Sequence, residues 1–105
     1  AAMRHLLRHG YRIEAHRFRL GHHDLDLVAR QGNVVAFVEV KTRGSLRFGR
    51  PVEAGGCRKR SVITRIAEVW RLRFGLPGDR YRFDVISVEP TGLTHIQDAW
   101  RGVEK

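Results

Sequence analysis

The amino-acid sequence predicts an α/β fold, a sandwich in which a central mixed β-sheet is flanked by helices, in the order αβββαββ. Two hydrophobic patterns predict the α/β class. Apolar and polar residues alternate along residues 11–20 and again from residue 24, which is the period of a half-buried β-strand. Between Ile63 and Phe74, apolar residues instead recur at the period of a helix packed on one side. Strands before and after such a helix are typical of an α/β or α+β sandwich.

Length and composition are those of one domain. The chain has 105 residues and a mass of 12.1 kDa, and 42% of its residues are hydrophobic. We therefore expect a single domain over residues 1–105 with its own core. Its one cysteine, Cys57, excludes an internal disulfide, and no apolar stretch approaches the roughly eighteen residues that cross a bilayer. We expect a cytoplasmic protein without a membrane partner.

The first two elements follow from local pattern. A short helix is predicted over residues 1–9, because apolar residues recur there at helical spacing and Gly10 follows where a helix ends. A strand is predicted over residues 11–20, with its apolar residues on one side. The apolar residues concerned are Met3, Leu6 and Leu7 in the helix and Tyr11, Ile13 and Ala15 in the strand.

A β-hairpin is predicted next. The run that starts at Asp24 alternates, residues 34–41 are almost wholly apolar, and Gly32 and Asn33 lie between the two runs. Glycine followed by asparagine is typical of a two-residue hairpin turn. A continuous apolar run is typical of a central strand that is covered on both faces.

The second half of the chain begins with a loop over residues 43–56, which is rich in Gly, Arg and Pro. A helix follows and ends near Gly75 and Pro77, while its start is left open because two glycines precede it. Strands are predicted over residues 81–89 and 93–97, separated by a turn. The apolar stripe of the helix consists of Ile63, Ile66, Ala67, Trp70 and Phe74.

Basic residues are concentrated in the middle of the chain. The chain has 20 Lys and Arg against 11 Asp and Glu, and residues 41–82 alone hold twelve basic and three acidic residues. A localised basic excess fits a phosphate backbone, so we expect a nucleic acid as partner, DNA rather than RNA. A solvated helix face in an arginine-rich protein is the plainer alternative. The expected nucleic-acid-binding residues are Arg43, Arg47, Arg50, Arg58, Arg60 and Arg65.

The predicted turn also fixes which hairpin residues face each other. If the turn has two residues, opposed positions sum to 65, so Asp26 faces Glu39. Alternation then puts Asp24 and Lys41 on the same face as these two acids. Opposed Cβ atoms are about 5 Å apart, where two like charges are destabilising unless a cation lies between them. The residues predicted to point the other way, into the core, are Leu25, Leu27, Val38 and Val40.

This pair of acids predicts a metal site. Carboxylate oxygens suit Mg²⁺ or Mn²⁺, so Asp26 and Glu39 are predicted to be metal ligands and catalytic residues. Lys41 is the third predicted catalytic residue, because a lysine can orient the attacking water, neutralise charge on the phosphate or transfer a proton. The structural alternative is a cross-strand salt bridge between Lys41 and Asp24, with Glu39 paired to a nearby arginine.

Four features occur along residues 4–98 in a specific order: DLDLVARQGNVVAFVEVKTR, FGRPVEA, Lys59 in the following helix, and RFDVI. Together they resemble the YraN-like group of uncharacterised bacterial proteins. That group is similar to the restriction-endonuclease-like superfamily, which carries a PD-(D/E)xK nuclease site. The resemblance implies a restriction-endonuclease-like fold, with Asp26 as the motif aspartate and Glu39 and Lys41 as the (D/E)xK pair.

The resemblance also implies accessory residues. In similar nucleases the helix after the site can carry them, here Glu53 and Lys59, although both fit a surface role equally well. Asp24 stands where the group has a glutamate and would substitute for that acid. Asp84, inside an otherwise apolar strand, is either an accessory ligand or a buried partner for an arginine, and we favour the second.

Three functions fit these features. The first is a metal-dependent nuclease that hydrolyses phosphodiester bonds in DNA or RNA. The second is a nucleic-acid-binding module with a degenerate, non-cleaving nuclease site, and the third is a basic protein-interaction domain. Whether two chains pair as a homodimer to grip both strands is left open.

Overall fold

The described part of the chain is residues 1–42 and 57–100 of a computed structural model, and it follows the predicted order of elements. Of Cys57 and Arg58 only the backbone is described. No helix in these two ranges is long and apolar enough to span a bilayer. The elements are α1 (Ala2–Arg8), β1 (Arg12–Leu20), β2 (His23–Gln31), β3 (Val34–Thr42), α2 (Cys57–Phe74), β4 (Arg80–Glu89) and β5 (Gly92–Trp100).

The strands form one mixed sheet in the order β1-β2-β3-β4-β5. β3 and β4 are parallel, because the chain crosses back along α2 between them, and the other neighbours are antiparallel. The predicted α/β class and mixed sheet are therefore confirmed. The parallel pair also brings the carboxyl ends of β3 and β4 to the same edge of the sheet.

Two apolar clusters cover the two faces of the sheet. The α2 side buries Val35 and Phe37 of β3, and the α1 side buries Ala36 and Val38 of the same strand, which confirms that β3 is covered on both faces. The helix residues of these clusters are Ile63, Ile66, Ala67 and Trp70 on α2 and Ala2 and Leu6 on α1.

Two apolar residues of the predicted helices lie outside these clusters. Leu7 is 56% exposed, because α1 is short and contacts the sheet only through its other side. Phe74 is 50% exposed, since it is the last residue of α2, where its ring contacts Phe18 and Trp70 from the edge of the core. β5 continues beyond its predicted end to Trp100, whose ring stacks on Phe83 with the ring centroids 4.2 Å apart.

The predicted hairpin register is confirmed. Gln31 pairs with Val34, and the ladder runs in that register as far as Leu27 and Val38. Asp26 and Glu39 are the next positions in the same register. The two-residue turn therefore sets a register in which the two candidate acids lie just beyond the last pair of the ladder.

The side-chain alternation of β2 breaks at Asp26, which overturns one prediction. Leu25 packs in the α2-side cluster, whereas Leu27 packs in the α1-side cluster, so they do not share a face. Opposite Asp26 in β1, Arg17 has a left-handed backbone with φ 61°, which interrupts the pleat of β1 at the same point. Because neighbours point to opposite faces, Asp24 lies on the α1 side, away from the face of Glu39.

A second break lies in β1. The register between β1 and β2 shifts between Ile13 and Ala15, as at a β-bulge. Tyr11 and Ile13 therefore pack on the α1 side and Ala15 on the α2 side, so the prediction that all three share a face is wrong.

Candidate metal and nucleic-acid site

Glu39 is a buried acid near the carboxyl end of β3. Only 4% of its surface is exposed, and it lies on the α2 face because Phe37, two residues earlier, packs there. A buried carboxylate is unfavourable unless hydrogen bonds or opposite charges compensate it. The function of the Glu39 carboxylate therefore depends on which groups compensate its charge.

Lys59 of α2 is the ionic partner of Glu39. Its Nζ lies 2.8 Å from Glu39 Oε2, and the lysine side chain remains 51% exposed. Among the described residues Oε2 nevertheless has no hydrogen bond of acceptable angle. Lys59 lies one helical turn before Ile63, so the buried stripe of α2 carries it over the acid. The structure thus brings this predicted accessory residue to the site, and the partner of Glu39 is a lysine rather than the arginine of the structural alternative.

Asp26 lies where β2 diverges from β3. Its Oδ2 accepts a hydrogen bond of 2.7 Å from the backbone N–H of Val40, so a side chain joins the strands where the ladder has ended. The Asp26 carboxylate therefore contacts the peptide that follows Glu39. Asp26 also lines an open cavity of about 280 Å³ on the α1 side, together with Arg17 and the first residues of the chain.

Lys41 follows Glu39 at the next position on the α2 face. It is half-buried, and its partner in the parallel ladder is Ser87 of β4. The predicted alternative of a salt bridge to Asp24 is wrong within the described residues, because the β2–β3 ladder ends before these positions and Asp24 lies on the other face.

Ser87 is a site residue that sequence reasoning missed. It is only 8% exposed, and its Oγ has no hydrogen-bond partner in the part of the chain that the structure describes. As the parallel neighbour of Lys41, it shares the face of Glu39. Its signal in the sequence is weak, being a single hydroxyl in an apolar strand.

Asp84 is not part of this site. Its ladder partner Val38 packs on the α1 side, so Asp84 lies on the face opposite Glu39. Its carboxylate accepts hydrogen bonds from Arg82, from His95 and from the backbone N–H of Asp98. The favoured interpretation, a buried partner for an arginine, is confirmed.

The predicted nucleic-acid-binding residues are described only on α2. Arg60 and Arg65 are exposed there, and the Arg60 guanidinium lies 5.5 Å from the centre of the Trp100 ring. A cation over an aromatic face is held in place without losing its outward N–H groups. The predicted residues outside the described positions are Arg43, Arg47, Arg50 and Glu53, together with the side chain of Arg58.

The chemistry of the donors tests whether a cation fits this site. Asp26 and Glu39 supply carboxylate oxygens, and among the described residues the ionic partner of Glu39 is the half-exposed Lys59. Across residues 1–42 and 57–100, no group of three or more His, Cys, Asp or Glu is placed to hold a metal. Mg²⁺ is commonly bound by one or two carboxylates with waters and substrate phosphates, so this donor pair fits it.

Fold and site together define a small basic α/β protein with an acid, two lysines and a hydroxyl gathered at the ends of its central parallel strands. The chain belongs to the uncharacterised protein family UPF0102, whose profile matches residues 1–88. This confirms the YraN-like resemblance of its sequence segments.

Individual members of the family are similar over most of their length. A UPF0102 protein of Symbiobacterium thermophilum is 42% identical over 90 residues, which cover 86% of this chain and 76% of the relative. A UPF0102 protein of Nocardia farcinica is 45% identical over 87 residues, covering 83% and 68%. One of Persephonella marina is 31% identical over 99 residues, covering 94% and 85%.

Proposed function

We propose that this protein is a metal-dependent nuclease that hydrolyses phosphodiester bonds in nucleic acid. The observation that carries the proposal is Glu39, a buried carboxylate whose ionic partner among the described residues is a half-exposed lysine, next in the chain to Val40, whose N–H donates to the carboxylate of Asp26. A buried carboxylate held by a half-exposed lysine can exchange that partner for a cation more readily than one held by several buried donors. The resemblance to PD-(D/E)xK nucleases supports the same assignment.

Each residue has a role in this proposal. Asp26 and Glu39 hold Mg²⁺ or Mn²⁺, and the bound cation supplies the Lewis acid that polarises a phosphodiester and lowers the pKa of a water. Lys41, on the face of Glu39, orients that water or neutralises charge that develops on the phosphate. Ser87 offers a hydroxyl beside Lys41 for a phosphate oxygen or a water.

The substrate is held by charge. Arg60 and Arg65 lie exposed on α2, the helix that also carries Lys59 to the site, so a backbone that follows the helix passes Glu39. The chain as a whole carries a net charge of +9, which favours a polyanion. We propose DNA rather than RNA as substrate and the cytoplasm, where an unpaired cysteine stays reduced, as compartment.

Cleavage assays test the proposal. Duplex, flap, junction and single-stranded DNA, with RNA counterparts, are incubated with Mg²⁺, Mn²⁺ or EDTA. We expect cation-dependent nicking of at least one substrate by the wild-type protein. Asp26→Asn and Lys41→Ala should lose the nicking but keep binding, since the basic helix is unchanged in both variants.

Glu89→Gln is the matched control, because Glu89 is an exposed acid at the end of the neighbouring strand β4. It should cleave like the wild type. Residual cleavage of equal size in Asp26→Asn, Lys41→Ala and the wild type would show that the activity comes from elsewhere in the chain or from a contaminant.

A second candidate is a nucleic-acid-binding module with a non-cleaving site. The observation that favours it is that Val40 N–H engages the carboxylate of Asp26 and Lys59 engages that of Glu39. This candidate predicts salt-sensitive binding with no turnover under any cation. Binding of acidic protein but not of nucleic acid would instead support the basic interaction domain.

A further inference from the structure

We propose that Lys59 is a placeholder for the cation at Glu39 and becomes a phosphate-binding residue once the cation is bound. The inference rests on the proposed cation site and adds to it a coupling between cation and substrate. It assigns the coupling to one contact, the ion pair between Lys59 Nζ and Glu39 Oε2 at 2.8 Å.

The two partners of this ion pair differ in burial. The Glu39 side chain is 5% exposed and fixed in a strand, whereas the Lys59 side chain is 51% exposed on a helix. Once another positive charge compensates the carboxylate, the ammonium can therefore move into solvent while the carboxylate stays where it is.

Charge balance links the two ligands of the site. A buried carboxylate needs an opposite charge nearby, which Lys59 provides in the contact that the structure shows. A divalent cation held by Asp26 and Glu39 would by itself balance the two negative charges, so the positive charge of Lys59 would become excess. Repulsion then favours release of the ammonium, and its exposed position on the basic face of α2 is suited to a substrate phosphate.

A purely structural ion pair makes a different prediction. If Lys59 only stabilised the fold, its removal would lower the melting temperature and leave the cation affinity unchanged. A placeholder instead competes with the cation for the same oxygen, so its removal should tighten cation binding. The two roles are therefore separated by a binding measurement that needs no enzymatic activity.

The first test is Mn²⁺ binding to the full chain. The affinity is measured by calorimetry and by the electron paramagnetic resonance signal of free Mn²⁺. Lys59→Gln should bind Mn²⁺ about tenfold more tightly than the wild type, a difference of about 1.4 kcal/mol. Lys59→Arg keeps the charge and should stay near the wild type. Arg65→Gln removes the same charge from an exposed position of the same helix and controls for net charge.

The outcomes separate this inference from the proposed function. If Glu39→Gln abolishes Mn²⁺ binding but Lys59→Gln binds no more tightly than Arg65→Gln, the placeholder role is wrong and the cation site stands. If neither the wild type nor Lys59→Gln binds Mn²⁺, the cation site itself is wrong, and with it the proposed function.

The second test is the affinity for a duplex oligonucleotide in EDTA and in Ca²⁺, a hard cation with the same preference for oxygen ligands. Lys59→Gln should weaken binding several-fold in Ca²⁺ and little in EDTA, because only the released ammonium reaches a phosphate. Arg65→Gln should weaken binding equally in both. Equal weakening by Lys59→Gln in both conditions would overturn the coupling.

Discussion

Two buried carboxylates lie on opposite faces of one sheet and differ in how they are satisfied. Asp84, on the α1 face, is fully buried and accepts hydrogen bonds from Arg82, His95 and the backbone of Asp98, at distances of 2.8 to 3.0 Å. Glu39, on the α2 face, is 4% exposed and has a half-exposed lysine as ionic partner, with Oε2 lacking a hydrogen bond within the described residues.

The difference teaches how to separate a structural acid from an available one. Burial alone does not do so, because both acids are buried and both lie in central strands. A satisfied carboxylate is expensive to disturb, since every partner left behind becomes an unpaired buried group. A carboxylate whose described partner is one half-exposed lysine leaves fewer buried groups unpaired when it is disturbed, and the following predictions test this contrast.

The largest expected effect is at Asp84. Asp84→Asn should lower the free energy of unfolding by about 3 kcal/mol, because the guanidinium of Arg82 would lose its counter-charge in a buried network. Urea unfolding followed by circular dichroism measures it. Asp98→Asn is the control and should change stability by under about 0.5 kcal/mol, since its side chain is exposed and asparagine tolerates its φ of 53°. Equal losses in the two variants would contradict the structural role of Asp84.

The next effect is at a third acid, Asp79, whose pKa of about 2 lies below the usual 3.8 because Arg30 donates two hydrogen bonds to it and the backbone N–H of Leu76 a third. A lowered pKa means that this stabilisation is present above pH 4 and is lost as the pH falls towards 2. Asp79→Asn should be less stable at pH 7 and lose less stability over that acid range. The loss should be smaller than at Asp84, since Arg30 keeps Glu14 as a partner at 3.2 Å. An unchanged acid profile would contradict the assignment.

The sequence could predict those parts of this contrast that depend on residues close together in the chain, but not those that depend on distant residues. The predicted facing of Asp26 and Glu39 follows from a two-residue turn, and the strand register agrees with that turn as far as the preceding pair, Leu27 and Val38. The alternation break at Asp26 could not be predicted, because it accompanies a left-handed arginine at position 17, where no glycine or asparagine signals such a backbone. At this break Asp26 accepts the hydrogen bond from Val40 and lines the cavity on the α1 side.

The partners of the two acids also differ in how far the sequence reveals them. Lys59 lies one helical turn before Ile63, the first residue of the apolar stripe of α2. If the helix begins before Lys59, helical periodicity alone predicts that this lysine approaches the sheet. His95, by contrast, reaches Asp84 from another strand, and nothing in its own neighbourhood marks it as a partner. The hydrogen-bond partners of a buried acid come from residues distant in the sequence, so only the structure shows which residues they are.

A smaller effect is expected at His5, which contacts His95 at 3.1 Å and so borders the Asp84 network. Burial lowers the pKa of His5 below its usual 6.5, and the nearby His9 and His95 lower it further. The folded protein thus favours the neutral ring, and the stability that this contributes is lost as the pH falls below 6.5. The melting temperature of the wild type should drop by a few degrees between pH 7.5 and 5.5, and that of His5→Gln by less. A steeper drop in His5→Gln would show that another group is responsible.

The smallest effect on stability is expected at Glu39, although its effect on cleavage should be complete. Glu39→Gln removes a buried charge and the ion pair with a half-exposed lysine, two changes that oppose each other, and ion pairs with exposed partners contribute little. The free energy of unfolding should stay within about 1 kcal/mol of the wild type, measured as for Asp84→Asn. A loss as large as that of Asp84→Asn would mean that Glu39 is held by the fold as tightly as its counterpart. The contrast between the two faces would then no longer support a ligand site.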